Sequence, residues 1–307
     1  MWSRVGKRIV VSIPVLVGVV LVIFVMLRIV PGDPVTTMLG EHVNPAVIEK
    51  ISREMGLDQP VHVQFFKYVF HALQGDFGTS YRLNRNVTGI ILDAFPNTVK
   101  LSLLAAVVAW VIGIVAGIVA AVQQNKLLDR LFMGGALMGV SMPVFMTALV
   151  LQYVFAFKLK WFPVSGFDSV KAMILPAIAL GWNSAGSIAR MTRSNLVEVM
   201  QNDYIRTARA KGLREHGVIV GHALKNAMLP VMTMMVLQIS SMLSGAVLTE
   251  SVFGVPGIGR LAVNAIGTRD MPLLQGTVVF TTILIIAGNL VADLLYNVLD
   301  PRIREGA

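Results

Sequence analysis

The 307-residue chain has no cysteine. That excludes disulfides and thiolate metal sites, and it leaves the redox compartment unreadable. Charge is also scarce. Only 14% of residues are Asp, Glu, Lys or Arg, against about 25% in an ordinary soluble domain. The phosphate-loop pattern of glycines followed by Lys and Ser or Thr occurs nowhere. Gly254-Val-Pro-Gly257-Ile-Gly259 is glycine-rich but lacks the Lys and follows no buried strand. His42, His62 and His71 have no metal-ligand spacing, and no Ser/His/Asp arrangement has supporting context. These absences exclude nucleotide hydrolysis by the chain itself and predict no catalytic residue, no bound metal and no cofactor.

Charge is missing in blocks. Six windows of at least 18 residues contain no charged side chain: 9–27, 101–122, 131–157, 172–189, 227–249 and 271–292. About 20 helical residues cross the hydrocarbon layer, so the windows predict six transmembrane helices. The fourth window is the weakest, since it is short and holds Pro176, Gly181, Asn183, Ser184 and Gly186. The windows lack a chain of carboxylates, which argues against proton coupling. Energy must then come from an ion gradient, from a partner ATPase, or from neither.

Six crossings place both termini on one side. Short segments on that side carry fourteen Lys and Arg, and short loops on the other side carry five. The excess predicts cytoplasmic termini. It also explains the net charge of +9 without nucleic acid. The first apolar run is longer than a signal-peptide core and no small-residue cleavage site follows it, so it reads as a retained helix.

Residues 1–30 thus form the cytoplasmic N-terminus and first span. Residues 31–98 form a small extracytoplasmic helical insertion. Helices are expected from Pro45 to about Gly56 after an Asn44 cap, from about Pro60 to Gly75, and from Thr88 to Phe95. Residues 99–298 form the core of spans 2–6, with a cytoplasmic region at 190–226 and an external loop at 250–275. Residues 299–307 form a cytoplasmic C-terminus. Gly113-x-x-x-Gly117 and Gly135-x-x-x-Gly139 are expected to let helices approach closely in lipid.

The basic stretch 204–230 lies between two apolar runs and must sit at a membrane surface, because charge at the bilayer centre costs at least ~2.5–3.5 kcal/mol per residue. Asn202 or Asp203 caps a helix starting near Tyr204. Ile205, Ala208 and Gly212 share one narrow, smooth face, while Arg206, Arg209 and Lys211 project elsewhere. Two readings are open: a knob that seats in another protein, or a surface helix that only obeys the positive-inside bias. The external turn Val252-Phe253-Gly254-Val255-Pro256-Gly257 reads as solvent-facing and apolar. Its cover is the mouth of a pathway, an external protein or the 31–98 region. Gln238, Ser241 and Ser244 are candidate pathway-lining residues of the fifth span.

A set of ordered motifs carries a resemblance. It comprises Pro31-Gly32-Asp33-Pro34, Leu57-Asp58-Gln59-Pro60, Gly75-Asp76-Phe77-Gly78 and Ser141-x-Pro143-x-Phe145. It continues with the run from Asp203 to Gly212, Asn226-Ala227-Met228-Leu229-Pro230, Glu250-x-x-Phe253-x-x-Pro256-Gly257-x-Gly259-Arg260, Arg269-Asp270-x-Pro272 and the run from Leu299 to Arg304. Along nearly its whole length the chain resembles the first of the two permease subunits of ABC importers for dipeptides, oligopeptides and nickel.

The resemblance implies an all-α, type I importer fold in a bacterial or archaeal cytoplasmic membrane. It implies a second homologous permease subunit, two ATPase subunits that hold the ATP and Mg, and an extracytoplasmic substrate-binding protein. It points to Ile205, Arg206, Thr207, Ala208 and Gly212 as the ATPase contact. It points to Glu250, Phe253, Pro256, Gly257 and Gly259 as an outer gate or binding-protein contact. In the wider superfamily the coupling segment reads Glu-Ala-Ala, three residues, then Gly. Here Arg206-Thr207-Ala208 stands in that place and Gly212 is kept, which suits the peptide branch. Carriage of peptides is the expectation, with a nickel or metal-chelate cargo as the alternative within the class. An ion-coupled secondary transporter or channel is the rival outside it.

Overall fold

The computed structural model describes residues 2–29, 45–54 and 56–299. The motifs at 31–34 and 300–304, His42 and the Asn44 cap lie outside the described residues. The chain divides into two compact units, Met1–Thr98 with Pro256–Ala287, and Val99–Val255 with Gly288–Ala307.

In the first unit, α1 runs over Trp2–Ile29, α2 over Pro45–Glu54 and α3 over Val61–Leu73. Gly56 and Gly75, at φ of +67° and +81°, turn the chain after α2 and α3, in line with the two expected stops. A two-residue antiparallel pair, β1 Thr79–Ser80 with β2 Arg85–Asn86, leads into α4, Val87–Val122. The separate helix expected at Thr88–Phe95 does not exist. Those residues are the first turns of α4, which at about 54 Å exceeds the hydrocarbon thickness. Pro96 lies within it and deprives the Leu92 carbonyl of its donor. Leu92 and Pro96 are both exposed, so the helix continues past the proline without burying that carbonyl.

The 250–275 segment, expected to be an external loop, also holds an unforeseen helix, α11, Ile258–Thr268. It is followed by α12, Met271–Leu299, whose first part closes the first unit. Val87, Ile91, Phe77, Ile258, Leu273 and Val279 form the core of this unit. Asp270 is buried and accepts from the Ser80 hydroxyl at 2.5 Å, while its other oxygen caps the Leu273 N–H.

The second unit contains the rest of α4, then α5 (Leu127–Ser141), α6 (Val144–Leu151) continued by a π-turn at Gln152–Lys158, and α7 (Val170–Val199). After these come α8 (Asp203–Ala210), the short α9 (Glu215–Val218) with a π-turn at Ile219–Ala223, and α10 (Leu224–Phe253). Five helices among the described residues are long and apolar enough to cross a membrane: α1, α4, α7, α12, and the helical run that begins at Glu215 and continues into α10. The third apolar window is not one straight helix. α5 and the α6 segment meet at 111°, because Pro143 follows the last turn of α5 and cannot extend it.

The centre of the second unit is α7. In α1 only 11% of the spanning window is buried, whereas in α7 the figure is 67%. The residues that weaken the fourth window are the reason. A Cβ at Gly181 would lie 2.6 Å from the Ala105 carbonyl oxygen, and one at Gly186 would lie 2.4 Å from that of Ala136. From α4, Gly113 meets Ala185 and Ile188 while Gly117 meets Thr192 and Ala189. The seam from α5 is Ala136 and Gly139, with Gly139 against Trp182. Gly135 faces open space, so the second small-residue pair packs only at one end. Lipid tails are as apolar as Leu, so contact quality rather than water exclusion holds these helices together. Gly186→Ala is expected to cost about 1–3 kcal/mol by forcing α5 away, and Gly135→Ala to cost nearly nothing. Thermal unfolding of the two variants in detergent checks this: equal melting temperatures would contradict the seam.

Candidate functional site: helix α8 and the 250–259 turn

The helix α8 forms where the basic stretch predicts. Asn202 is its N-cap in extended geometry, although its side chain makes no capping bond. Gly212, at φ of +77°, ends the turn and donates to the Arg209 carbonyl at 3.0 Å. The face of Ile205 and Ala208 is not free for another protein. Ile205 is 0% exposed and Ala208 6%, and both pack with Ala121 of α4, Leu196 of α7, Val218, Ala223 and Ala227. The expectation of a smooth docking knob on that face is therefore corrected: the i, i+3 pair anchors α8 to its own chain. Full burial of the Ile205 side chain contributes about 1.5–3 kcal/mol to that anchoring. The open face is made by Tyr204, Arg206, Thr207, Ala210 and Lys211, all exposed, and Gly212 lies at its end, where an added Cβ would meet only open space.

Polar contacts fix the same seat. Asn226 of α10 donates to the Tyr204 hydroxyl at 3.0 Å and to the His222 carbonyl at 3.2 Å. Arg209 grips Glu215 through Nε and Nη2 at 3.1 and 2.6 Å, which shapes the turn into α9. Arg206 and Asp203 are 3.6 Å apart but largely exposed, and such a pair adds little. Sequence reasoning missed a stronger one. Arg193 of α7 forks onto Asp129 of α5, with Nε to Oδ1 and Nη2 to Oδ2 both at 2.6 Å. The Asn125 N–H also donates to Asp129 Oδ2 at 2.8 Å, where Asn125 takes φ of +65°. Asp129 is buried, so this pair clamps the start of α5 to α7. The signal was present in the sequence as a lone Asp between Lys126 and Arg130 at the rim of an uncharged window.

The residues of the 250–259 turn are mostly packing residues. In the second unit, Phe253 and Val255 are buried, and Glu250 is fully buried. The Gly254 and Val255 N–H groups both return to the Glu250 carbonyl, with Gly254 at φ of +67°. Gln152 of the π-turn donates to the carbonyls of Val164 and Val252, and the Gly166 N–H to that of Phe253. In the first unit, the Pro256 carbonyl accepts from Asn97 and the Ile258 N–H donates to Thr98. Gly257 and Gly259 are buried and only Pro256 is exposed. The turn is thus not a solvent-facing apolar surface; the chain covers it itself. Of the candidate pathway residues, Gln238 is partly buried with its Oε1 unpaired, and Ser241 is exposed with its hydroxyl donating to the Gln238 carbonyl. The side chain of Ser244 lies outside the described set.

Two family models cover most of the sequence. Residues 113–305 match the binding-protein-dependent transport system inner membrane component, and residues 1–102 match the N-terminal part of such a membrane component. The chain belongs to this permease family. The glutathione transport system permease protein GsiC of Salmonella paratyphi A is 42% identical over 304 residues, covering 99% of each chain. The dipeptide transport system permease protein DppB of Alkalihalophilus pseudofirmus is 40% identical, over 97% of this chain and 98% of that one. The di/tripeptide permease DppB of Pseudomonas aeruginosa is 40% identical over 99% of both. Among solved structures, the MetNI methionine ABC transporter in an inward-facing form matches at a TM-score of 0.58 with 16% identity, covering 69% of this chain and 96% of that one. An amino acid ABC transporter crystallised with histidines matches at 0.55 with 15% identity, covering 68% and 94%. The permease is therefore an all-α, multi-span membrane protein with the fold of ABC importer permeases. It carries no nucleotide-binding motif, and no metal-ligand cluster occurs among the described residues.

Within this permease, Arg193→Met leaves the Asp129 carboxylate buried and unpaired. A loss of about 3–5 kcal/mol is expected, with the double variant Asp129→Asn, Arg193→Met recovering part of it. Melting temperatures of the two variants read this out, and a double variant no better than the single one would refute the clamp.

Proposed function

We propose that the chain is one of two permease subunits of an ATP-driven importer for short peptides. The observation that carries this reading is identity of about 40% along the entire length to permeases named for glutathione, dipeptides and di/tripeptides. Six crossings are proposed, with the bent α5–α6 pair taken as one span and both termini in the cytoplasm. The charge asymmetry between the two sets of short loops supports that orientation. Residues 31–98 then lie outside the membrane and α8 faces the cytoplasm.

Substrate arrives from an extracytoplasmic binding protein, and two ATPase subunits bind the α8 region. The permease performs no covalent chemistry. ATP binding in the partners moves α8, and α8 moves the ends of α4 and α7 to which Ile205 and Ala208 fasten it. The partner contact is assigned to the exposed Arg206, Thr207, Lys211 and Gly212, with Ile205 and Ala208 as the anchor. On the outer side, Pro256 is the exposed candidate for a binding-protein contact, while Glu250, Phe253, Gly257 and Gly259 keep the turn rigid. Gln238 and Ser241 remain the candidates for lining the pathway.

The test is uptake of a labelled dipeptide by proteoliposomes holding the assembled transporter. Uptake that persists without both ATPase subunits would overturn the importer reading. Two variants separate docking from anchoring. Thr207→Trp is expected to leave the melting temperature unchanged and to cut both ATPase capture and uptake at least about tenfold, equivalent to ~1.4 kcal/mol of lost docking. Ala208→Trp is expected to lower the melting temperature itself, by overpacking the seam with α4 and α7. The reverse pattern would restore the Ile205–Ala208 face as the docking surface.

A further inference from the structure

Two hydrogen-bond donors in the first unit have no acceptor. Gln275 of α12 is only 7% exposed, and its Nε2 is buried without a partner. The Tyr68 hydroxyl of α3 is likewise buried and unpaired, and burial pushes its pKa up, so it stays protonated and able to donate. Buried polar groups are nearly always satisfied, and an unmet one points to a missing partner. Both residues line one cavity of about 420 Å³ within this unit, walled by the last turns of α1, by α3 and by the start of α12.

The lining is cationic. Arg28, Arg53 and Lys67 contribute to it, and Asp76 is its one carboxylate among the described residues. Arg53 is committed to Glu49 at 2.5 Å. Asp76 accepts from the Gly78 N–H at 3.0 Å and from Asn86 at 3.4 Å, with His71 Nδ1 at 3.9 Å. Arg28 has no carboxylate partner among the described residues. It donates to the Gln64 Oε1 from Nε and Nη2 at 3.2 and 2.6 Å and to the Phe24 carbonyl at 3.1 Å, and its guanidinium lies 3.3 Å from the centre of the Phe24 ring. Those contacts hold the side chain in place and, among the described residues, leave its charge without a counter-charge. Lys67 forms no ion pair among the described residues. Two cations without a carboxylate partner among the described residues, and two orphaned donors, around one cavity call for an oxyanion.

The source of that oxyanion is set by α1. This helix is apolar enough to span a membrane, and only 11% of its spanning window is buried, so most of its surface is left uncovered by the rest of the chain and open to lipid. Arg28 occupies its last turn, and the adjacent Leu27 and Phe24, about one turn earlier, are in the same cavity wall. The cavity therefore begins where the hydrocarbon-facing surface of α1 ends, at headgroup depth. A soluble anion would use the cations and leave the apolar wall bare.

We propose that this cavity binds the phosphate of an anionic phospholipid, with its acyl chains descending along α1. Arg28 and Lys67 neutralise the phosphate, and Tyr68 and Gln275 donate to its oxygens. Gln59 Oε1, buried in the same lining without a donor, accepts from a headgroup hydroxyl. A glycerol headgroup supplies that hydroxyl. The proposal rests on α1 spanning the membrane and is independent of the transported cargo.

The test uses the full-length chain in nanodiscs of phosphatidylcholine doped with phosphatidylglycerol, read by native mass spectrometry after detergent release. Retention of one phosphatidylglycerol per chain is expected. The double variant Arg28→Gln, Lys67→Gln is expected to reduce retention about tenfold or more, and Gln275→Leu to reduce it about threefold without lowering the melting temperature. Arg85→Gln, outside the cavity, is expected to change nothing. Equal retention in all variants would overturn the site. Displacement of the lipid by inorganic phosphate alone would overturn the lipid as its source.

Discussion

Everything in the second unit depends on how closely α4 and α5 approach the backbone of α7. Inside a membrane there is no water to expel, so helices adhere only as well as their surfaces fit. Glycine on one helix against a carbonyl on the next gives the closest fit available. That arrangement recurs at Gly181 with Ala105, Gly186 with Ala136, and Gly117 with Ala189. A single added methyl at any of these has no room. The sequence cost is low apparent hydropathy in α7, and it is harmless because little of that helix meets lipid. By contrast α1 is the most apolar window and the least buried. Hydropathy and burial run in opposite directions here, since the bilayer rather than the core is the apolar solvent.

The charged groups obey a complementary rule. Asp129 and Arg193 lie at the margin of the apolar seam and neutralise each other in a two-pronged contact. Desolvating two ions is expensive, and such a pair is tolerated where its geometry is good and a further donor completes it. The Asn125 N–H is that donor. The pair ties α5 to α7 at the end where α8 is also seated, so three elements are held at one place by different forces: glycine contact, an ion pair and an apolar plug.

What the sequence revealed follows from which signals are local. Uncharged windows, the stops at Gly56 and Gly75, and the helix opening near Tyr204 depend on neighbours in the chain, and all were readable. The single long α4 was not, because Pro96 suggests a boundary and only the exposure of Leu92 and Pro96 shows why none is needed. The direction of the Ile205–Ala208 face was also unreadable. Periodicity shows that two small apolar residues share a face, but not whether that face meets a partner or the chain's own helices. The same ambiguity misplaced Phe253 and Val255, which the chain covers itself. Asp129 escaped notice because its partner is 64 positions away, and no pattern in one sequence links the two.

If ATPase partners dock on α8 as proposed, its corrected position changes how force travels. A knob that seats wholly in a partner would need its own loop to be stiff. A helix plugged by Ile205 and Ala208 into the ends of α4 and α7, and tied to α10 through Tyr204 and Asn226, needs no such stiffness. Pulling on its open face moves the seat. At that seat Gly117 of α4 lies so close to α7 that an added Cβ would fall 2.5 Å from Thr192, so the two backbones are in close contact there. Closely packed interfaces shift between discrete arrangements rather than deform continuously. Under the proposed docking, a small displacement of α8 is passed to the ends of α4 and α7 that hold Ile205 and Ala208, and through the Asp129–Arg193 pair to α5, in keeping with the proposed alternating gate.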